Sequence, residues 1–177
     1  MFDVVRLADR FGFHFLKNAL GDHLTNIVCY SNVLPILIHA DLLQLEEAKA
    51  TCFHFLDANA KWILKTASEE FLSLPQKYLE DIICRDSFVT EEIDIFNLVR
   101  KWLEYNNKTK DDATHLLKIV RLCEIPAELL FAVVEPSGLF DKKAISEAAQ
   151  VSCHLELEHM IPRGFTQQGL NLQCFSV

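Results

Sequence analysis

Apolar side chains recur at intervals of three and four residues along most of this chain, which is the spacing of one face of an α-helix. Between residues 13 and 28, for example, apolar residues stand at positions 13, 16, 20, 24 and 27 and share one helical face. The strict alternation of apolar and polar residues that is typical of strands is missing over any useful length. The pattern predicts an all-α fold, with helices over residues 2–10, 13–28, 33–43, 45–64, 75–84, 91–105, 113–122, 126–134 and 141–151.

Several residues mark where these helices should begin and end. Gly12 is expected to break the first helix, because glycine rarely continues one. Asn32 and Thr90 stand where a side-chain oxygen can cap a helix, and Pro75 stands where proline commonly opens one. From Cys153 onward the periodicity fades and Pro and Gly interrupt a polar sequence, so residues 153–177 are predicted to form an irregular tail.

The first four predicted helices contain a weak internal repeat with an offset of 32 residues. Two helices per repeat are typical of helical hairpins that stack on their neighbours, so the repeat predicts a solenoid-like arrangement. The matching positions are Ala8 and Ala40, Asp9 and Asp41, Phe13 and Leu45, Lys17 and Lys49, Leu20 and Cys52, and Leu24 and Leu56.

Composition and charge favour a folded domain with protein partners. The 177 residues suit one domain, and half of them are hydrophobic, including 13 Phe, which is enough for a sizeable core. The formal net charge is −8 and Lys and Arg form no cluster, which argues against nucleic acid as a partner. The longest apolar runs are far too short to span a membrane.

The cysteines indicate a reducing compartment. The chain has six Cys, none in a Cys-x-x-Cys pair, and its start lacks the pattern of a secretory signal. We therefore expect free thiols and a cytoplasmic protein.

A search for catalytic or metal-binding patterns finds none that assembles a site. Cys52 and His54 are two apart on a predicted helix and so do not face each other, and Cys153 and His154 with His159 lack the further ligands that zinc needs. The paired carboxylates are adjacent residues, which diverge on a helix and cannot converge on one bond. Phosphate-binding loops and nucleophile elbows are also missing. We expect no enzyme activity, no cofactor and no metal.

A series of short segments, in order and at similar spacing, resembles a known helical family. The resemblance is to the BACK domain of BTB-type adaptors for Cullin-3 ubiquitin ligases, together with the preceding helical pair called the 3-box. It covers about residues 2–151. Residues 7–13 and 16–17 are similar to the 3-box, and the segments similar to BACK are residues 32–41, 48–49, 55–60, 70–74, 92–96 with 102–103, 120–122 and 134–139.

The resemblance implies a domain plan. Residues 1–28 would form the 3-box-like helical pair, residues 29–152 the BACK domain, and residues 153–177 the tail. Family members bind Cullin-3 through the BTB domain and 3-box, while domains after BACK present substrates. A BTB domain would precede residue 1 and, in the most similar members, discoidin-like domains would follow, so we expect a truncated or alternatively ended form.

The resemblance also implies roles for individual residues. Glu92 and Arg121 match charged positions beside apolar runs, and we expect them to form an ion pair that joins two helices. The expected core consists of Phe71, Leu72, Phe96, Val99 and Trp102. The surface expected to face a BTB domain and the cullin consists of Phe2, Val5, Phe11, Phe13, Leu16 and Leu20.

Three functions remain open from the sequence. The first is a non-catalytic scaffold within a BTB–BACK substrate adaptor for a Cullin-3 ubiquitin ligase. The second is a truncated helical binding module that acts without BTB or cullin, in a regulatory role or by self-association through its uncovered apolar surface. The third is a helical hydrolase or cofactor binder, for which the sequence offers no named residues.

Overall fold

The computed structural model describes residues 1–66 and 69–156. These residues form helices joined by turns and loops, without a strand in either range, which confirms the all-α prediction. The chain forms two compact units, Met1–Asn59 and Ala60–Val177. The predicted 3-box-like pair and the first hairpin of the predicted BACK region therefore belong to the same unit.

The first unit consists of two helical hairpins. Helices α1 (Phe2–Arg10) and α2 (His14–Asn26) form the first hairpin, and α3 (Val33–Leu42) and α4 (Glu46–Ala58) form the second. The helices of each hairpin pack on each other, and α2 also packs on α4. The two hairpins therefore stack, as the sequence repeat predicts.

The turn between α1 and α2 depends on Gly12. The Phe13 N–H donates to the Ala8 carbonyl (2.8 Å) and the Gly12 N–H donates to the Asp9 carbonyl (3.1 Å), so the last carbonyls of α1 find partners. This arrangement requires left-handed backbone at Gly12, whose φ is 70°. Glycine adopts that conformation without steric cost.

The turn between α3 and α4 repeats this geometry 32 residues later. The Leu45 N–H donates to the Ala40 carbonyl (2.9 Å) and the Gln44 N–H donates to the Asp41 carbonyl (3.3 Å). Gln44 occupies the position of Gly12 and has the same left-handed backbone, with φ of 54°. The second turn therefore holds a side chain in a conformation that L-residues disfavour.

An ion pair is also repeated. Lys17 Nζ lies 2.6 Å from Asp9 Oδ1 in the first hairpin, and Lys49 Nζ lies 2.5 Å from Asp41 Oδ1 in the second. Each pair joins the end of one helix to the first turns of the next. The matching residues identified in the sequence thus make matching contacts in the structure.

The second unit begins with short helices that lead to a long, buried one. It continues through a 3₁₀ turn (Leu122–Glu124) and a π-helical stretch (Leu130–Val134). Its α-helices are α5 (Ala60–Thr66), α6 (Glu69–Leu72), α7 (Gln76–Ile83), α8 (Glu92–Tyr105), α9 (Thr114–Ile119), α10 (Ala127–Leu129), α11 (Glu135–Ser137) and α12 (Lys142–Glu156).

Helix α8 is the centre of the second unit, as its wide apolar stripe indicates. Phe96 and Val99 are fully buried, and Trp102 is buried with its indole N–H donating to the Leu74 carbonyl (2.9 Å). Buried indole nitrogens usually find such a partner. Of the two predicted core residues before α7, Phe71 is buried, whereas Leu72 is only half-buried.

One predicted helix is too long, and two predicted side-chain caps are not formed. The helix predicted over residues 45–64 ends at Ala58, and Asn59 separates it from α5. The Asn59 amide donates to the Phe55 carbonyl (2.7 Å), and its Oδ1 accepts from the Tyr30 hydroxyl (2.5 Å). The side chain thus supports the end of α4 through a residue distant in sequence.

The two predicted caps are the other errors. Asn32 precedes α3, but its side chain forms hydrogen bonds with residues before it in the sequence. It accepts from the Cys29 N–H (2.7 Å) and donates to the Ile27 carbonyl (2.8 Å). Thr90 lies one residue too early, because Glu91 occupies the N-cap of α8. The Thr90 hydroxyl is buried without a hydrogen-bond partner among the described residues.

The last predicted helix is longer than expected. Helix α12 continues to Glu156, so the first residues assigned to the irregular tail are helical. The remainder of the predicted tail, residues 157–177, lies outside the described part of the chain.

Candidate protein-interaction surface

The predicted partner-facing residues lie on α1, α2 and the turn between them, and most are accessible. Phe11, Phe13 and Leu16 are exposed, and Leu20 is half-buried. The rings of Phe11 and Phe13 lie 6.5 Å apart between centroids, so they form one apolar patch at the turn.

Two of the predicted residues have a different role. Val5 is fully buried and shares the inner face of α1 with Ala8, so its assignment to the partner-facing surface is wrong. Phe2 is half-buried, and its ring stacks on the imidazole of His39 with 4.0 Å between centroids. Phe2 thus contributes to the contact between the two hairpins.

The face of the second hairpin that includes His39 and Leu45 lies against the first hairpin. His39 is covered by Phe2, and a Cβ placed on Gly21 would stand 3.3 Å from Leu45 Cδ2, so α2 and α4 touch at that point. The 32-residue repeat gives each residue of this covered face a counterpart in the first hairpin. The relevant positions of the second hairpin are Ile36, Leu43, Leu45, Ala48 and Cys52, which are buried, and His39, which is half-buried; their counterparts, in chain order, are Val4, Leu7, Phe11, Phe13, Leu16 and Leu20.

We term these six counterparts the first-hairpin face; five of them are exposed, and Leu20 is half-buried. The exposed fraction is 47% at Val4 and 1% at its counterpart Ile36. It is 60% at Phe13 and 8% at its counterpart Leu45. The first hairpin thus presents, to solvent, the apolar face that the second hairpin uses for packing.

Sequence reasoning missed two residues of this face, Val4 and Leu7. Both are exposed apolar residues on α1, one turn apart and in line with Phe11. The repeat could have identified Val4, because its counterpart 32 residues later is the apolar Ile36. The counterpart of Leu7 is His39, which belongs to the same set of positions.

Glu92 and Arg121 are connected, but not as the predicted ion pair. Glu92 is buried at the start of α8, and its Oε1 accepts from the backbone N–H of Arg121 (2.8 Å). The Arg121 guanidinium instead pairs with Asp86 and, at 3.3 Å, with Glu124. Burial lowers the pKa of Arg121, but the carboxylates of Asp86 and Glu124, with a further contribution from the charge of Glu92, outweigh burial and raise it.

The described residues offer little for catalytic or metal chemistry. Groups of three or more potential metal ligands are missing from the described side chains. Cys52 is buried and burial raises its pKa to about 12, so its thiol stays protonated at neutral pH, whereas His54 is exposed. The side chains of Cys153, His154 and His159 lie outside those that are described.

The helices of the described ranges are also unsuited to a lipid bilayer, since each is too short or too polar to cross one.

Comparison with known proteins gives one family and two groups of relatives. The sequence model of the family described as BACK, "BTB And C-terminal Kelch", matches residues 33–135. BTB/POZ domain-containing protein 9 of Homo sapiens is 34% identical over 151 residues, which are 85% of this chain and 24% of that protein. The Drosophila melanogaster protein of the same name is 36% identical over 146 residues, or 82% of this chain and 20% of that protein.

A more distant relative is Kelch-like protein 25 of Xenopus laevis. It is 30% identical over 129 residues, which are 72% of this chain and 22% of that protein. The chain thus spans about a quarter or less of the length of the curated relatives it matches.

Proposed function

The chain belongs to the BACK domain family, and on that premise we propose that it is the non-catalytic helical scaffold of a BTB–BACK substrate adaptor for a Cullin-3 ubiquitin ligase. In this role the first hairpin packs against a BTB domain and contributes to the surface that meets the cullin. The second unit connects the first hairpin to the domains that follow BACK, which present the substrate.

The first-hairpin face is the observation that carries this proposal. Its six apolar positions match, residue for residue, positions of the second hairpin that are buried or half-buried, and two of these, His39 and Leu45, contact the first hairpin. Repeats of this kind are stable when neighbours cover their apolar faces. A face built in that way and left uncovered favours a protein partner with an apolar, helical surface.

The relatives support a BTB domain as that partner. Two of the proteins that match this chain carry BTB/POZ in their printed names, and each is at least four times as long as the matched segment. A BTB domain in the same polypeptide would be held close to the first hairpin, which raises its effective concentration.

The exposed thiols support a cytoplasmic location. The thiols of Cys29 and Cys84 are exposed, which suits a compartment that keeps cysteines reduced.

Substitutions on the first-hairpin face test this role in a chain fused to an upstream BTB domain. Phe13→Asp with Leu16→Asp places two charges on the face and should weaken binding of the Cullin-3 N-terminal region by about tenfold or more, measured by calorimetric titration.

Phe15→Asp is the matched control. Phe15 is 89% exposed on the same helix, but its counterpart in the repeat, Glu47, is itself exposed. We expect Phe15→Asp to leave the affinity within about twofold of wild type. Equal losses in both variants would exclude the first-hairpin face as the determinant of binding.

A further inference from the structure

A cavity of about 360 Å³ lies between α5 and α8 in the second unit. Leu64 and Leu98 are buried at its base, and the side chains around them are polar or charged. A volume in this range accommodates a small ligand or a few side chains of a peptide. The cavity is distinct from the first-hairpin face, which belongs to the first unit.

Cations predominate around this cavity, in a chain whose net charge is −8. Lys65, Arg100 and Lys101 line it, together with one carboxylate, Asp94. The fifth polar residue, Asn97, can both donate and accept hydrogen bonds.

These cations are poorly neutralised. Lys65 and Lys101 form no ion pair within 4.0 Å in the described part of the chain. The guanidinium of Arg100 approaches Glu104 only to 4.0 Å. Arg100 Nε is also buried without a hydrogen-bond acceptor among the described residues. Three positive groups held together with a single carboxylate attract a further anion, and a guanidinium is suited to a carboxylate.

From this geometry we propose that the cavity between α5 and α8 binds an acidic segment of a protein partner, with Lys65, Arg100 and Lys101 holding a Glu or Asp carboxylate over the apolar base. Glu suits the site because its methylene groups can lie on Leu64 and Leu98 while its carboxylate meets the cations. The negative net charge of the chain disfavours a long polyanion, and the small cavity limits the contact to a short segment.

The carboxylate of Asp94 repels an acidic ligand. Replacing Asp94 therefore tests the proposal through the direction in which the affinity changes. Burial, and then the charge of Glu91, raise the pKa of Asp94, while Lys65 and Lys101 favour its charged form. The two lysines are thus close enough to Asp94 to act on one carboxylate. Replacing Asp94 by Asn removes the negative charge from the cavity, so binding of an acidic peptide should tighten several-fold.

The experiment is a titration of the full 177-residue chain with a short synthetic peptide rich in Glu, followed by anisotropy at low ionic strength. The wild-type chain should bind this peptide, and a peptide with Gln in place of Glu should bind about tenfold or more weakly. Lys65→Gln with Lys101→Gln should reduce affinity for the Glu peptide by a similar factor.

Lys108→Gln with Lys118→Gln is the matched control. Both residues are exposed lysines of the second unit outside the cavity, and the pair removes the same charge from the chain. This variant should bind within about twofold of wild type. Circular dichroism checks that each variant is folded, and Lys101→Gln alone replaces the double variant if that one is not.

Three results would overturn the proposal. One is a lack of binding up to about 1 mM peptide. Another is an equal loss of affinity in the cavity and control variants, which would indicate attraction to positive charge in general. The third is inorganic phosphate displacing the peptide at equal concentration, which would indicate a site for small anions only.

Discussion

At the scale of single residues, the repeat places the same backbone conformation on two different side chains. Gly12 and Gln44 both have positive φ at the end of the first helix of a hairpin, with matching hydrogen bonds around them. Glycine is neutral to this conformation, whereas a residue with a Cβ is strained by about 1–2 kcal/mol. The two positions should therefore respond to substitution with opposite signs.

Gln44→Gly is expected to stabilise the chain by about 0.5–1 kcal/mol, because relief of strain outweighs the greater freedom of glycine in the unfolded state. Gly12→Ala is expected to destabilise it by about 1 kcal/mol, although a Cβ there would meet no atom within 4 Å. Urea unfolding measures both changes. Changes of the same sign in the two variants would contradict the structural equivalence of the turns.

Glu92 and Arg121 are expected to contribute unequally to stability. Glu92 is buried and accepts a backbone N–H, which stays in place whatever side chain residue 121 carries. The Arg121 guanidinium makes its ion pairs with Asp86 and Glu124 in a partly exposed setting. Glu92 is thus the structural residue of the two.

Glu92→Ala is expected to cost about 2–3 kcal/mol, because it removes a buried side chain and leaves the partly buried N–H of Arg121 without its acceptor. Arg121→Ala is expected to cost about 0.5–1 kcal/mol, the range of partly exposed ion pairs. Denaturant unfolding of both variants, and of the double variant, gives the comparison. Equal costs with a large coupling energy would instead support the directly paired side chains that the sequence suggested.

At the scale of elements, the sequence specified the helices that are amphipathic and end in a local signal. The bounds of α1 follow from its apolar spacing and from Gly12, and the central position of α8 follows from its wide apolar stripe. The break at Asn59 could not be predicted in this way, because the apolar pattern runs through it and its support comes partly from Tyr30. The burial of Val5 was missed because α1 has apolar residues on two faces, and their spacing does not say which face is packed.

Trp102 tests the central role of α8. Trp102→Ala removes a buried side chain and its bond to the Leu74 carbonyl, and should cost about 3–5 kcal/mol. In a chain of this length the melting temperature should fall by about 10 °C or more. Trp62→Ala removes the other tryptophan, half of which is exposed, and should cost clearly less. A melting temperature for Trp102→Ala that matches wild type would show that α8 is not the core of the second unit.

At the scale of the whole molecule, the two hairpins have equivalent apolar faces, of which one is packed and one is accessible. The accessible face can bind a partner. The second hairpin has its apolar face packed on the first, and the equivalent first-hairpin face stays accessible. The sequence indicated this surface through Phe11, Phe13, Leu16 and Leu20, and the structure extends it to Val4 and Leu7. We propose that a BTB domain covers this surface.

The most direct test is a calorimetric titration of the Cullin-3 N-terminal region against this chain, with and without a BTB domain joined upstream. We propose that the main cullin contact lies in the BTB domain and that the first-hairpin face adds a supporting contact. We expect the chain alone to bind weakly or undetectably, at about 0.1 mM or above, and the BTB-joined chain to bind at about 1 µM or below. Equally tight binding in both cases would contradict this division, because it would place the whole cullin-binding surface within these 177 residues.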